Sequence, residues 1–332
     1  MEKVLEVKDL VVRYETDDGI VHAINGLSFS IDKERTLGLV GETGAGKTTA
    51  ALSILNLVPD PPGVIAGGSI ILDGKDVLSM GEKELERMRG NDVAMIFQDP
   101  MTALNPVIPV GQQIAESLEI HEGLSREEAM EKAKQMLEQV GISASRAYDY
   151  PHQLSGGMKQ RVVIAIALAC QPSLLIADEP TTALDVTIQA QVLSLMKGLI
   201  DNSHMSMLLI THDLGVVAEV CDDVAVMYAG RIVEIGSADD IFNHTLHPYT
   251  EGLFDSLPNL KARGEDLIPI KGLMPDPMHL PQGCSFHPRC PYATEACKTR
   301  EPELKKAEGS HYVACIRYNE SSFCLRRDKD AR

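Results

Sequence analysis

The sequence lacks an apolar run that is long enough to span a membrane. Its longest runs, such as VVIAIALAC at residues 162–170, stop well short of the roughly 20 residues that a membrane-spanning helix needs. The opening MEKVLEVKDL also lacks the basic start and continuous apolar stretch of a secretory signal. We therefore expect a cytosolic protein that crosses no bilayer by itself.

Positive charge is also scarce in this chain. Its 332 residues include 31 Lys and Arg against 48 Asp and Glu, which gives a formal net charge of −17. A protein that binds nucleic acid usually needs a basic face that displaces counterions from the phosphates. The charge balance disfavours nucleic acid as a partner and leaves only a local basic patch open.

A glycine-rich loop lies between a predicted strand and a predicted helix. Residues 37–40 form a short apolar run, GETGAGKTT follows at residues 41–49, and residues 50–57 have a helical pattern. In the pattern G-x-x-x-x-G-K-[ST], backbone N–H groups at a helix amino terminus bind phosphate oxygens. The alternative is a glycine turn that only caps a core helix. The residues predicted to bind nucleotide are Gly41, Glu42, Thr43, Gly44, Ala45, Gly46, Lys47, Thr48 and Thr49.

Three of these loop residues have specific expected roles. Lys47 would reach the β and γ phosphates, and Thr48 would give its hydroxyl group to Mg²⁺. Thr49 lies beside it for a further phosphate contact.

Two adjacent carboxylates follow a second apolar run. LLIADEP at residues 174–180 has the pattern of a buried parallel strand, which would direct both side chains towards the phosphates. Asp178 suits the Mg²⁺ shell, and Glu179 can polarise the attacking water as a general base. The alternative is an acidic loop that follows a core strand.

The segment LSGGMKQR at residues 154–161 resembles the signature motif of ATP-binding cassette (ABC) proteins. Ser155 could begin a helix, and the two glycines after it allow close backbone approach to a ligand. In the resembled family, the signature of one subunit covers the γ phosphate that the other subunit binds, so the resemblance implies a dimer around two ATP molecules. The residues that would contact the partner's ATP are Ser155, Gly156, Gly157 and Gln160.

Four single residues match further family elements. Tyr14 resembles the aromatic residue that stacks on adenine, and Gln98 in IFQDP resembles the glutamine that senses Mg²⁺ and connects to the transmembrane partner. Asp185 in TALD resembles the residue that couples the two composite sites, and His212 resembles the switch histidine that contacts the γ phosphate. Without the family, the same residues fit a core or surface tyrosine, a solvated amide, a helix cap and a strand-end histidine.

The resemblance implies an α/β fold with four parts: a P-loop NTPase (RecA-like) core, an antiparallel β subdomain, an inserted helical subdomain and a small Cys-containing extension. Strand patterns at residues 4–14 and 23–31 predict the antiparallel part. A capping box from Ser125 to Glu128 and a terminal Gly141 predict a helix in the insertion, at about residues 98–165. We expect an ABC nucleotide-binding domain at residues 1–240 and the extension at residues 241–332.

Three segments narrow the subfamily to the ATPases of dipeptide, oligopeptide and nickel importers. HPYTEGLFDSLP (residues 247–258), PQGCSFHPRC (281–290) and FQDPMTALNP (97–106) resemble that group. The resemblance implies an ATP-hydrolysing subunit that energises an importer of di- or oligopeptides, with nickel as the alternative cargo. A soluble ABC ATPase that acts on nucleic acid and a small-molecule P-loop kinase are the competing classes, and the kinase leaves the signature segment unexplained.

The resemblance also implies partners and a location. They are a second ABC ATPase, expected to be a paralogue that forms a heterodimer, two transmembrane permease subunits and, indirectly, an extracytoplasmic substrate-binding protein. The chain would then lie at the cytoplasmic face of the cell membrane as a peripheral subunit.

Five of the seven cysteines lie in the last fifth of the chain, and four of them form the candidate ligand set. Cys284, Cys290, Cys297 and Cys315 are separated by five, six and seventeen residues. Four thiolates can hold Zn²⁺ or an iron–sulfur cluster. The lack of a C-x₂-C pair favours a cluster over zinc, and the family resemblance implies 4Fe–4S; unligated thiols are the third possibility. Cys324 is a possible substitute ligand, whereas the sequence context of Cys170 and Cys221 is typical of core thiols.

Overall fold

This chain contains both strands and helices along its length. The computed structural model describes residues 2–98, 100–181, 185–256, 269–320 and 323–326. The strands are β1 (Lys3–Thr16), β2 (Gly19–Asp32), β3 (Thr36–Val40), β4 (Gly63–Leu72), β5 (Lys75–Asp76), β6 (Val93–Ile96), β7 (Leu174–Asp178), β8 (Ser206–Ile210), β9 (Asp223–Tyr228), β10 (Arg231–Ser237), β11 (Lys305–Lys306) and β12 (Tyr312–Val313). The helices are α1 (Lys47–Ile54), α2 (Glu82–Met88), α3 (Pro100–Ala103), α4 (Val110–Glu122), α5 (Arg126–Gln139), α6 (Gly156–Leu168), α7 (Val186–Ser203), α8 (Leu214–Val220), α9 (Ala238–Asn243), α10 (Pro248–Asp255) and α11 (Glu295–Thr299).

The chain divides into two compact units, and each unit consists of separate segments. The first unit comprises residues 1–5, 30–36 and 71–211, and the second comprises residues 6–29, 37–70 and 212–332. The domain boundary expected near residue 240 stays a prediction.

Parallel strands form the centre of the first unit. They lie in the order β8-β7-β6, with Leu174 opposite Val93 on one side and Ser206 on the other. Every residue of β7 and β8 is buried. Strands that are covered on both faces have continuous apolar sequences, which is why the sequence predicted them.

The predicted insertion of helices is present in the first unit as α3 to α6. The expected capping box begins α5: the Ser125 hydroxyl accepts the Glu128 N–H at 3.4 Å, and the Glu128 carboxylate accepts the Ser125 N–H at 3.0 Å. Gly141 follows the helix with φ of +75°, a conformation that favours glycine. Apolar side chains of α4 and α5, such as Ile114 and Leu137, are fully buried.

The second unit contains a mixed sheet of five strands in the order β11-β12-β10-β9-β3. β3 and β9 are parallel, with Leu37 opposite Asp223, and the other neighbours are antiparallel. Because Tyr312 pairs with Ile235, the late segment β12 adds directly to β10. β2, β1 and β4 are neighbours in a second sheet, and the two-residue turn between β1 and β2 makes them the expected hairpin.

A buried carboxylate attaches the late segments of the chain to β10. Glu234 is fully buried and accepts the N–H groups of Leu246 and His247 at 2.7 and 2.9 Å. The other partner of this carboxylate is His311 Nε2, at 2.8 Å. A buried charge is tolerated only when it has such partners, so these contacts hold α10 and β12 in place.

Across the described part of the chain, no helix combines the length and the apolar character that crossing a bilayer requires.

Candidate nucleotide-binding site

Two glycines give the loop between β3 and α1 its shape. Gly41 has φ of +155° and Gly46 has φ of +102°, and both values are rare for residues with a side chain. A Cβ atom on Gly41 would lie 2.2 Å from the Met227 carbonyl oxygen, and one on Gly46 would lie 2.6 Å from the Ala23 carbonyl oxygen. Backbone conformation and space therefore both require glycine at these positions.

The loop ends at the amino terminus of α1, where Lys47 is the first helical residue. Lys47 is 7% exposed, and its Nζ donates to the carbonyl oxygens of Gly41 at 2.8 Å and Glu42 at 3.1 Å. The start of an eight-residue helix exposes backbone N–H groups to an anion. The structure thus brings a cation and helix donors to one loop.

The other predicted loop residues differ in exposure. Thr43, Gly44 and Thr48 are exposed, whereas Ala45 is buried. Thr49 is half-buried, and its Oγ1 lies 3.3 Å from the hydroxyl of Tyr14. The predicted adenine-stacking tyrosine therefore lies beside the phosphate-binding loop.

In the first unit, the structure brings Gln98 and Glu179 together. The Gln98 Nε2 donates to Glu179 Oε2 at 3.0 Å. Glu179 follows β7 with φ of +47°, and its N–H donates to the Ile210 carbonyl at 2.8 Å. A left-handed glutamate stores backbone strain of the kind that is common at functional sites. Asp178, the last residue of β7, is only 3% exposed.

The predicted signature segment begins α6. The Ser155 hydroxyl caps the helix by accepting the Met158 N–H at 3.4 Å, and Ser155 and Gly156 are exposed. A Cβ atom on Gly157 would lie 2.8 Å from Ile188 Cγ2, so a larger residue there would require the Ile188 side chain to shift.

Gln160 differs from the rest of the signature segment. Its side chain is fully buried, and neither of its polar atoms has a hydrogen-bond partner among the described residues. Its predicted contact with a partner's nucleotide stays a prediction, and it requires the side chain to reach the surface.

The two remaining single-residue matches are exposed. His212 directly precedes Asp213, whose carboxylate caps α8 by accepting the Gly215 N–H at 2.9 Å. Asp185 occupies the position before α7, and its side chain makes no capping hydrogen bond within the part of α7 that the structure describes. The alternative role of Asp185 as a plain helix cap therefore lacks its usual contact.

The four predicted cysteines converge in the second unit, where all of them line one cavity of about 20 Å³. The backbone of this set is itself connected, because the Cys284 N–H donates to the Cys297 carbonyl at 2.9 Å. Burial raises the pKa of the Cys290 thiol to about 12 and that of the Cys315 thiol to about 11. Cys324 does not line this cavity, and its Sγ lies 3.4 Å from the Leu325 carbonyl oxygen.

The cysteine set is not arranged for a single metal ion. Among the described residues, no group of three or more His, Cys, Asp or Glu side chains is placed to hold one. A cavity of this size has room for about one water molecule. The four thiols would therefore have to move apart to enclose a cluster.

Two residues outside the predicted set contact the predicted phosphate-binding loop. The Glu42 N–H donates to the Tyr249 hydroxyl at 2.8 Å, and the Glu42 carboxylate pairs with Arg289 at 2.6 Å. Tyr249 and Arg289 lie 207 and 247 residues away in the sequence. No spacing pattern could have indicated them, because the contacts are made only by the folded chain.

Comparison with known proteins identifies the family of this chain. The model of the ABC transporter family matches residues 24–182, and the model of the oligopeptide/dipeptide transporter C-terminal region matches residues 233–297. The oligopeptide transport ATP-binding protein AppD of Bacillus subtilis is 50% identical over 96% of this chain and 98% of its own length. The chain belongs to the ABC transporter ATPase family. OppD, the oligopeptide transport ATP-binding protein of the same organism, is 51% identical over 94% of this chain and 88% of its own length.

A solved structure supports the fold of this ABC ATPase. It is the dimeric structure of an ATP-binding cassette in a post-hydrolysis state, bound to ADP and Pi, with 26% sequence identity and a TM-score of 0.63. The match covers 70% of this chain and 98% of that structure. The predicted P-loop NTPase fold is thereby confirmed.

Proposed function

We propose that this ABC ATPase binds and hydrolyses ATP to drive an importer of di- or oligopeptides. The contact between Gln98 and Glu179 is the observation that supports ATP hydrolysis, because it holds a carboxylate at the end of a buried parallel strand. The match to the oligopeptide/dipeptide transporter C-terminal region supports peptide as the cargo, and nickel is the alternative. The acidic net charge of −17 argues against nucleic acid.

In the second unit, the residues of the phosphate-binding loop bind the nucleotide. In the structure, Lys47 donates to the carbonyls of Gly41 and Glu42. When ATP binds, its phosphate oxygens replace these carbonyls as acceptors of the ammonium group. Thr48 would give its hydroxyl to Mg²⁺, and Thr49 would add a phosphate contact. Tyr14 stacks on the adenine ring.

In the first unit, Asp178 and Gln98 act with the metal and Glu179 acts on water. The carboxylate and amide oxygens of Asp178 and Gln98 suit the shell of Mg²⁺, which neutralises charge on the β and γ phosphates when it is bound. Glu179 accepts a proton from the water that attacks the γ phosphorus, and the bond to the β-phosphate oxygen breaks to leave ADP. In the second unit, His212 contacts the γ phosphate.

The signature residues act in the dimer. Ser155, Gly156, Gly157 and Gln160 cover the ATP of a second ABC ATPase, and Asp185 couples the two composite sites. We infer a paralogue as that second ATPase, two permease subunits as membrane partners, and a location at the cytoplasmic face. ATP binding closes the dimer and hydrolysis reopens it, which moves the permeases. An extracytoplasmic substrate-binding protein delivers the peptide.

The four cysteines around one cavity support a second, separate proposal. Cys284, Cys290, Cys297 and Cys315 would hold a 4Fe–4S cluster, since a set of four thiolates is the usual ligand set of such clusters. Zn²⁺ is the alternative occupant, and the thiols would have to move from their present positions to hold it. No step of ATP hydrolysis depends on this group.

The cargo can be tested through the ATPase rate of the assembled transporter in vesicles. We expect peptide, delivered by the substrate-binding protein, to stimulate hydrolysis, and we expect Ni²⁺ and DNA to leave the rate unchanged. Stimulation by Ni²⁺ alone would indicate that the cargo is nickel. Stimulation by DNA without the permeases would contradict the assignment of the chain to an importer.

A further inference from the structure

The segment after residue 240 supplies two side chains to the phosphate-binding loop. Arg289 meets the Glu42 carboxylate with both ends of its guanidinium group, Nη1 to Oε2 at 2.6 Å and Nη2 to Oε1 at 3.0 Å. Tyr249 accepts the backbone N–H of the same glutamate at 2.8 Å. A paired arginine–carboxylate contact fixes direction as well as distance. Glu42 is therefore held by its backbone and by its side chain.

Both partners of Glu42 are themselves fixed. The Arg289 side chain is 5% exposed, and its Nε donates to the Lys271 carbonyl at 3.1 Å. Tyr249 is fully buried and packs against the rings of Tyr228 and Phe286, with centroids 4.6 and 5.4 Å away. These contacts place the guanidinium and the hydroxyl before any nucleotide arrives.

Glu42 is central to the loop that binds phosphate. Its carbonyl oxygen accepts Lys47 Nζ at 3.1 Å and the Ala45 N–H at 3.2 Å. A change in the position of Glu42 would therefore move the lysine and the backbone donors together. Fixing this residue preorganises the loop.

The charge of Glu42 gives Arg289 a second effect. A carboxylate one residue after Gly41 lies next to the place where a triphosphate binds, and like charges repel most strongly where water is partly excluded. The guanidinium group neutralises this carboxylate through a contact that is largely shielded from solvent. Without Arg289, the loop would present an unpaired negative charge to ATP.

The contact is not needed to attach the late segments to the unit. β12 already pairs with β10, and the buried Glu234 binds the Leu246 and His247 N–H groups and His311. The pairing with Glu42 is thus additional to an attachment that other residues secure.

We propose that Arg289 is a positioning residue for ATP, which acts with Tyr249 by orienting and neutralising Glu42 in the phosphate-binding loop. The proposal rests on the proposed function, because it requires that the loop binds ATP. It makes ATP affinity in this chain depend on residues of the cysteine-bearing segment.

The test is a charge-rescue series in the assembled transporter, with the Kd for Mg-ATP and the KM and kcat of hydrolysis as readouts. Arg289→Ala is expected to weaken ATP binding and raise KM by about tenfold, with kcat changed less than about threefold. Adding Glu42→Gln to this variant is expected to restore affinity to within about threefold of wild type, because it removes the repelling charge. A loss of packing alone would not be rescued in this way.

Two further variants control for folding and for position. Arg300→Ala removes an exposed arginine of the same segment and is expected to leave the Kd unchanged. Arg289→Lys keeps the charge but loses the paired geometry, so its Kd is expected to lie between wild type and Arg289→Ala. If Arg289→Ala does not fold, the comparison of Arg289→Lys with Arg289→Lys plus Glu42→Gln replaces it.

Wild-type affinity in both Arg289 variants would overturn the proposal, and so would a loss that Glu42→Gln does not reduce. Failure of the wild-type complex itself to bind Mg-ATP would instead overturn the proposed function.

Discussion

The proposed phosphate-binding loop and the acidic end of β7 are built in different ways. The loop is fixed from several sides: two glycines that admit no Cβ atom, a buried Lys47, and a Glu42 that is held by Tyr249 and Arg289. Glu179, by contrast, has a left-handed backbone, and its carboxylate contacts the amide of the exposed Gln98.

The difference indicates that the two regions have separate roles in ATP binding and in hydrolysis. A rigid loop lowers the cost of binding ATP, because its donors are already in place. A carboxylate that meets an exposed amide can change partners when water and the γ phosphate arrive. Substitutions in the loop should therefore act mainly on affinity, and substitutions at the acidic end should act mainly on hydrolysis.

The largest effect is expected for Glu179→Gln. The amide cannot accept the proton of the attacking water, so the hydrolysis rate should fall by on the order of 10² to 10⁴ while ATP binding is retained. Steady-state hydrolysis and equilibrium binding of Mg-ATP measure the two quantities. Glu86→Gln on the exposed face of α2 is the matched control and should behave as wild type. A Glu179 variant that hydrolyses ATP at the wild-type rate would refute the role of general base.

The second-largest effect distinguishes a steric clash from backbone strain in the loop. Gly46→Ala places a Cβ atom 2.6 Å from a carbonyl oxygen, whereas Gly44→Ala has φ of +84° but meets no atom within 4 Å. Strain alone costs about 1 to 3 kcal/mol. We expect Gly46→Ala to weaken ATP binding by on the order of 10²-fold or more and Gly44→Ala by on the order of tenfold. Calorimetric titration with Mg-ATP measures both, and equal losses would show that space does not limit the loop.

A smaller effect is expected for Gln98→Ala. Loss of the 3.0 Å contact releases the Glu179 carboxylate, so kcat should fall by about tenfold with the Kd for ATP changed by less than about threefold. Gln112→Ala, an exposed glutamine of α4, is the control. If Gln98→Ala altered affinity and left kcat unchanged, the comparison between the two regions would be wrong.

The smallest effect on hydrolysis is expected for the cysteines. In anaerobically purified protein, Cys290→Ser should remove iron and acid-labile sulfide, of which about four each per chain are expected in the wild type. The hydrolysis rate should change by less than about twofold. Cys170→Ser, a change outside the four-cysteine set, should retain the metal. Zinc in the wild type, or no metal at all, would refute the cluster proposal and would not affect the proposed ATPase activity.

Much of the fold could be predicted because its signals are local. The apolar run of β7, the capping box of α5 and the glycine loop before α1 each lie within a few consecutive residues. The same holds for the family motifs, so the nucleotide-binding loop could be proposed from the sequence.

The contacts that could not be predicted are long-range or depend on backbone detail. The pairing of Arg289 with Glu42 spans 247 residues, and its geometry exists only after folding. Nothing in the amino-acid sequence indicates that Glu179 has positive φ. The sequence also does not indicate that Gln160 is buried while Ser155 is exposed. The convergence of the four cysteines was expected from the family and not from their spacing alone.

Uptake of a labelled peptide is the most direct test of an ATP-driven importer. The complex is reconstituted into vesicles with this chain as wild type or as Glu179→Gln, and ATP is supplied on the side of the ATPase subunits. We expect peptide accumulation that requires ATP and that disappears in the Glu179→Gln complex. Accumulation at the same rate in both complexes, or none in the wild type when ATP is hydrolysed, would contradict it.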